Sequence, residues 1–130
     1  MKSARPTLTA QELEIMKVVW KLSSPTVRQV YEELLGQRRI AYTTVMTMMN
    51  ILEQKGYLKK SQGDRAFVYT PSKPAKKVIS DMVKEFVDRV FNGAAEPLLL
   101  HLIEDEKLTE KDLEEIRRTV KETGRKGRKS

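Results

Sequence analysis

Thr43, Met46, Thr47, Asn50 and Gln54 recur every three or four residues in the stretch 42–54. On a helix they share one face, and Val45, Met48, Met49 and Leu52 share the other. The first face carries hydroxyls, amides and one thioether but no charge. Those groups suit hydrogen bonds to base edges and van der Waals contact with thymine methyls in a major groove. A merely solvated helix more often shows Lys and Glu there. Arg38, Arg39, Lys55, Lys59, Lys60 and Arg65 surround this face as candidates for positioning a phosphate backbone. Each alone is an ordinary surface charge; their grouping is what points to a polyanion. Arg65, at the tip of an expected turn, could reach a phosphate or an adjacent minor groove.

Other chemistries are poorly provided for. The chain has 130 residues, no cysteine and one histidine, His101. Disulfides, thiolate nucleophiles, Cys zinc sites and iron–sulfur clusters are excluded, and a His-based metal cluster cannot be built. The acidic runs Glu104-Asp105-Glu106 and Glu114-Glu115 have no converging base, nucleophile or Gly-rich loop, so they read as solvated faces. The expectation is a protein that is not an enzyme and uses no metal or cofactor. No apolar run approaches a membrane span, and the basic N-terminus has no apolar segment behind it. A cytoplasmic protein without membrane insertion is expected.

Charge divides the chain. Net charge is +7. Residues 1–73 hold 12 Lys/Arg against 6 Asp/Glu, residues 74–123 hold 9 against 12, and the last seven residues hold four basic and no acidic side chains. A basic first module is the electrostatic footprint of a nucleic-acid partner.

The first module must present the uncharged face. Thr9 and Glu12 form a capping box, with Leu8 and Leu13 as a hydrophobic staple. Leu13, Met16, Val19 and Trp20 follow at helical spacing, and Ser23-Ser24-Pro25 stops them. Thr26 can cap a second helix with Val27, Val30, Tyr31 and Leu34 on one face, and Gly36 fits a left-handed stop after it. A third helix is predicted from about Tyr42 to Lys55, closed by Gly56. Tyr57–Ser61 and Ala66–Thr70 then read as a hairpin around a Gly-containing turn. Three helices and a hairpin make a winged helix-turn-helix, with the third helix turned outward and the hairpin as its wing.

From Pro74 a broad apolar stripe runs through Val78, Ile79, Met82, Val83, Phe86, Val87, Val90 and Phe91, and Asn92-Gly93 can end that helix. A last helix from Thr109 turns Leu113, Ile116 and Val120 inward. These residues are too few to cover the stripe, and a second copy of the chain would do so. The dimer interface expected is therefore Ile79, Met82, Val83, Phe86, Val87, Val90, Phe91, Leu113, Ile116 and Val120. The fold class is mainly α with a small β-hairpin wing. Residues 1–73 are the DNA-binding domain, 74–123 a helical dimerisation module and 124–130 a basic disordered tail. An alternative is a winged-helix regulator gated by a small ligand at the dimer interface, in a pocket rich in Met82, Phe86 and Phe91.

Leu8-Thr9-Ala10-Gln11-Glu12-Leu13-Glu14-Ile15-Met16-Lys17-Val18-Val19-Trp20 and Thr26-Val27-Arg28-Gln29-Val30-Tyr31 resemble the opening of the penicillinase and methicillin-resistance repressors. Tyr42-Thr43-Thr44-Val45-Met46-Thr47, with Leu52-Glu53-Gln54-Lys55-Gly56, is similar to that family's recognition helix, which adds Thr44 to the base-reading candidates. Phe67-Val68-Tyr69-Thr70-Pro71 matches its wing exit. The resemblance implies a homodimeric repressor on a palindromic double-stranded operator, often with a TACA/TGTA core. It also implies C-terminal helices that intertwine. Induction would run through a membrane-bound sensor protease whose signal leads to cleavage in the C-terminal module, at a position falling on His101-Leu102. Several relatives carry Arg at the position of Ile51, and the Cys-x-Cys metal motifs of the copper-responsive branch are missing here.

Overall fold

The computed structural model describes residues 7–105 and 108–127. The acidic Glu106, Lys107 and the last tail residues, Arg128 and Lys129 among them, lie outside the described residues. The elements are α1 (Ala10–Leu22), α2 (Val27–Leu35), α3 (Tyr42–Gln54), β1 (Leu58–Gln62), β2 (Phe67–Pro71), α4 (Ala75–Phe91), α5 (Glu96–Glu104) and α6 (Glu110–Gly127). The chain divides into two compact units, one up to Val83 and one from Lys84.

In the first unit, α1, α2 and α3 pack their apolar faces together. Ile15, Met16, Val19, Val30, Leu34, Val45, Met49 and Leu52 are fully buried, and Leu58 and Tyr69 of the hairpin close the core. Each such aliphatic side chain contributes about 1.5–3 kcal/mol by leaving water. The hairpin is antiparallel, with Leu58 opposite Pro71 and Gln62 opposite Phe67. Both strands lie one residue later than the alternation suggests. The Tyr57 amide is drawn into the helix stop instead, donating to the Leu52 carbonyl at 2.9 Å.

The helix ends follow from local chemistry. Both α1 and α2 start with reciprocal capping boxes, Thr9 with Glu12 and Thr26 with Gln29. Gly56 takes φ 89°, which a side-chain-bearing residue adopts only with strain. Gly36 differs from the left-handed stop expected of it. Its φ is −68°, and the chain leaves α2 through a tightened turn in which the Gln37 and Arg38 amides both donate to the Leu34 carbonyl.

A buried ion pair ties α1 to α3. Glu12, only 5% exposed, accepts from the Lys55 ammonium at 2.8 and 3.1 Å and from the Thr9 amide at 2.9 Å. Burial pushes the Glu12 carboxyl up, but Lys55 and Thr9 together outweigh it and hold its pKa below the ordinary value. A lowered folded pKa adds stability above the unfolded pKa, and that stability is lost as pH falls through the folded one. Glu12→Gln keeps an amide oxygen for the cap but removes the charge. It is expected to cost about 1–2 kcal/mol at neutral pH. In urea denaturation that gap should close at pH values below the carboxylate range.

The first half of α4 belongs to the first unit. Val78 is buried in its core, and Met82 packs against the same cluster. The Trp20 indole N–H donates to the Lys73 carbonyl at 3.0 Å, fixing the approach to α4. Met82, expected in the dimer seam and, by the alternative, in a ligand pocket, is half-buried against the core of its own chain. Ile79 and Val83, on the same helix, are exposed.

In the second unit, Asn92 and Gly93 both take positive φ and end α4, as their sequence suggests. Residues 96–104 form α5 with Pro97 in its first turn. Proline fits there because its missing N–H would be unpaired anyway. Phe91 stands edge-on to Phe86 at 5.9 Å and beside His101 at 6.0 Å. Helix α6 opens on the Thr109–Asp112 box and runs on to Gly127, through the first residues of the expected tail. Gly124 inside it costs only about 1 kcal/mol in helix propensity. No helix among the described residues is long and apolar enough to cross a membrane.

Candidate nucleic-acid interface

Helix α3 turns one face into the core and leaves the other open. Val45, Met49 and Leu52 are buried, with Met48 partly so. Thr43, Thr44 and Thr47 are exposed, and Met46 is 38% exposed. Thr43, Met46 and Thr47 therefore stand where the helical wheel puts them, and Thr44, added by the resemblance, is exposed beside them. Asn50 is only half-buried and is engaged: its Oδ1 accepts the Tyr69 hydroxyl at 3.1 Å. Ile51 is exposed on the same helix.

Between α3 and the hairpin lies an open cleft of about 540 Å³. Tyr42, Met46 and Asn50 line it from α3, and Lys60, Gln62, Arg65, Phe67 and Tyr69 from the hairpin side. Thr26, Val27 and Arg28 close it at the start of α2. The Lys60 ammonium sits 4.6 Å from the Phe67 ring centre and 5.9 Å from that of Tyr69. Attraction to the two ring faces holds the cation on the wing without neutralising it.

The six cationic candidates fall into two groups. Arg39, Lys59, Lys60 and Arg65 are exposed. Arg38 and Lys55 are tied to carboxylates. Arg38 makes a two-pronged bond to Glu14, Nε to Oε2 at 3.0 Å and Nη2 to Oε1 at 2.9 Å. That bond holds the Glu14 carboxyl below its ordinary pKa and raises the guanidinium further, while partial burial opposes both shifts. Lys55 is held by Glu12, as above.

Eight cleft residues were not site candidates from the sequence: Thr26, Val27, Arg28, Tyr42, Gln62, Ala66, Phe67 and Tyr69. A signal existed for two of them. An aromatic side chain at the first position of a polar helix, and another in a basic hairpin, are apolar groups with no assigned place in the core. Tyr42 is held edge-on to Tyr31 at 5.4 Å, and Phe67 is 49% exposed.

In the second unit, the expected interface side chains Phe86, Val90, Ile116 and Val120 are exposed, and Val87, Phe91 and Leu113 are half-buried. The candidate cleavage pair His101-Leu102 lies within α5, exposed but helical. A protease must unwind that turn before it can accept the backbone.

The chain is similar to known proteins in sequence and in the fold of its first unit. Residues 8–122 match the family described as penicillinase repressor. The penicillinase repressor of Bacillus licheniformis is 32% identical over 117 residues, covering 90% of this chain and 91% of its own. The transcriptional regulator BlaI of Mycobacterium tuberculosis (strain ATCC 25618 / H37Rv) is 34% identical over 95 residues, covering 72% of this chain and 69% of its own. Among solved structures, the DNA-binding domain of the repressor BlaI superposes with a TM-score of 0.50 at 36% identity, over 57% of this chain and 90% of that one. The match extends from the staple before α1 into α6, and the chain belongs to the penicillinase repressor family.

Proposed function

We propose that this protein is a transcriptional repressor that binds, as a homodimer, an inverted-repeat operator in cytoplasmic double-stranded DNA. The observation that carries the reading is the exposed, uncharged face of α3 beside a cleft edged by Lys60 and Arg65. Thr43, Thr44, Met46 and Thr47 read bases, and Asn50 does so while held by Tyr69. Arg39, Lys59, Lys60 and Arg65 position the phosphate backbone. Arg38 and Lys55 serve first as internal ion-pair partners, because each already has a carboxylate at hydrogen-bond distance.

The second copy is supported by the second unit's surface. Val90, Leu100, Ile116 and Val120 are 45%, 51%, 43% and 60% exposed in a single chain. That much aliphatic surface in one small helical unit is what a dimer seam covers. Splitting the seam releases the operator, because two linked half-site contacts hold far better than one. Cleavage in α5 under a sensor-protease signal is such a route.

The test is fluorescence anisotropy on an operator recovered by selection, across a range of salt. Thr47→Ala should relax discrimination at one base position in each half-site. Arg65→Ala should weaken all sequences alike and flatten the salt slope by about one unit per half-site. An Arg65→Ala variant with an unchanged slope would remove Arg65 from the phosphate contacts.

A further inference from the structure

Tyr69 is the one polar side chain of the hairpin in the core. It is 3% exposed, its backbone amide donates to the Pro25 carbonyl at 2.9 Å, and its strand position is fixed opposite Lys60. A phenol so largely buried usually finds a hydrogen-bond partner within the protein. The acceptor is Asn50 Oδ1 at 3.1 Å. In the opposite orientation the amide –NH₂ would donate to the phenol oxygen; in the orientation found, the hydroxyl donates and the carbonyl is the end that faces the tyrosine. With the carbonyl engaged, the –NH₂ group is what Asn50 offers to the cleft that it lines.

We propose that Tyr69 is a positioning residue for base reading: it holds the Asn50 carbonyl and so makes Asn50 a reader of acceptor-bearing base edges, guanine above all. This rests on the operator-binding reading given above. A free asparagine pairs with adenine, donating to N7 while its carbonyl accepts from N6. An asparagine whose carbonyl already accepts one bond has one lone pair left and a fixed aim, so its second bond to adenine is weakened while the first is kept. Guanine, with N7 and O6 both accepting, then becomes the better partner. Wing and recognition helix thus read one base together, although the tyrosine never touches it.

The experiment selects binding sites from a fully randomised double-stranded DNA library with the full chain and its Tyr69→Phe, Asn50→Ala and Asn50→Asp variants. At the position lost in Asn50→Ala, the unmodified chain should favour guanine over adenine. Tyr69→Phe keeps the ring and its packing but frees the carbonyl. It should move that position toward adenine by about fivefold, the worth of one hydrogen bond, and leave the other positions alone. In the Asn50→Ala background it should change nothing there. Asn50→Asp still accepts the Tyr69 hydroxyl but offers no donor, so it should move the position to cytosine, whose N4 donates. A purely structural hydroxyl would instead lower affinity for every sequence and leave the base ratios intact; that result in Tyr69→Phe overturns the inference. Should Tyr69→Phe fail to fold by circular dichroism, the Asn50→Asp profile decides. A shift to cytosine supports the inference, and an unshifted profile overturns it. Sequence preference that ignores both residues overturns this inference alone. An unmodified chain with no sequence preference overturns operator binding, and this inference with it.

Discussion

Phe86→Glu is expected to leave the chain folded, abolish the dimer at micromolar concentration and lower affinity for a two-half-site duplex about a hundredfold or more. In a single chain the Phe86 side chain is 39% exposed, so a carboxylate there keeps its water and the monomer tolerates it. Only the edge-on contact with Phe91 is lost, worth about 1 kcal/mol. In a seam formed with a second copy the same carboxylate is buried without a partner, which costs several kcal/mol. Each monomer retains its winged helix, so binding to a single half-site should be unaltered. Sedimentation velocity and circular dichroism on the same sample check both halves of the expectation. A dimer that persists in Phe86→Glu would place the interface elsewhere.

Truncation should separate folding from operator affinity just as sharply. A chain ending after Val83 is expected to fold as a monomer with native-like stability and weak, half-site-only binding. A chain ending after Lys73 should be less stable by about 2–4 kcal/mol, because it loses the buried Val78 and the packed Met82. The contact of Trp20 with the Lys73 carbonyl would then rest on a fraying chain end. Pro71 and Pro74 make residue 73 look like a domain limit, but the first two turns of α4 complete the core behind it. Equal urea midpoints for the two fragments would contradict that role for α4.

What the sequence made legible was local. Thr9 with Glu12, Asn92 with Gly93 and the wheel of Tyr42–Gln54 each depend on neighbours within a turn or two, and the structure shows them as the spacing suggests. Gly36 misled because glycine is compatible with a left-handed stop without requiring one; the turn after α2 is closed by Leu34 carbonyl bonds instead. The pairings that sort the cations were invisible. Arg38 finds Glu14 across 24 residues, Lys55 finds Glu12 across 43, and Tyr69 finds Asn50 across 19. No periodicity encodes which of several lysines meets a carboxylate when two helices cross. Met82 belonged by spacing to the same stripe as Phe86, yet the stripe is wider than one partner. Its first turns serve the winged helix, and its later ones leave Phe86 and Val90 open.

Two copies are expected to read two half-sites in a fixed frame. The direct measurement is titration of the full chain into a selected inverted-repeat duplex, with the mass of the complex determined by light scattering. It is repeated on a duplex whose half-sites are moved apart by about five base pairs, half a helical turn. Two protomers per duplex are expected on the native spacing. On the altered spacing the second half-site faces the wrong side of the helix, and affinity should drop to the half-site value. Equal affinity for the inverted repeat, the respaced duplex and a scrambled one would contradict it.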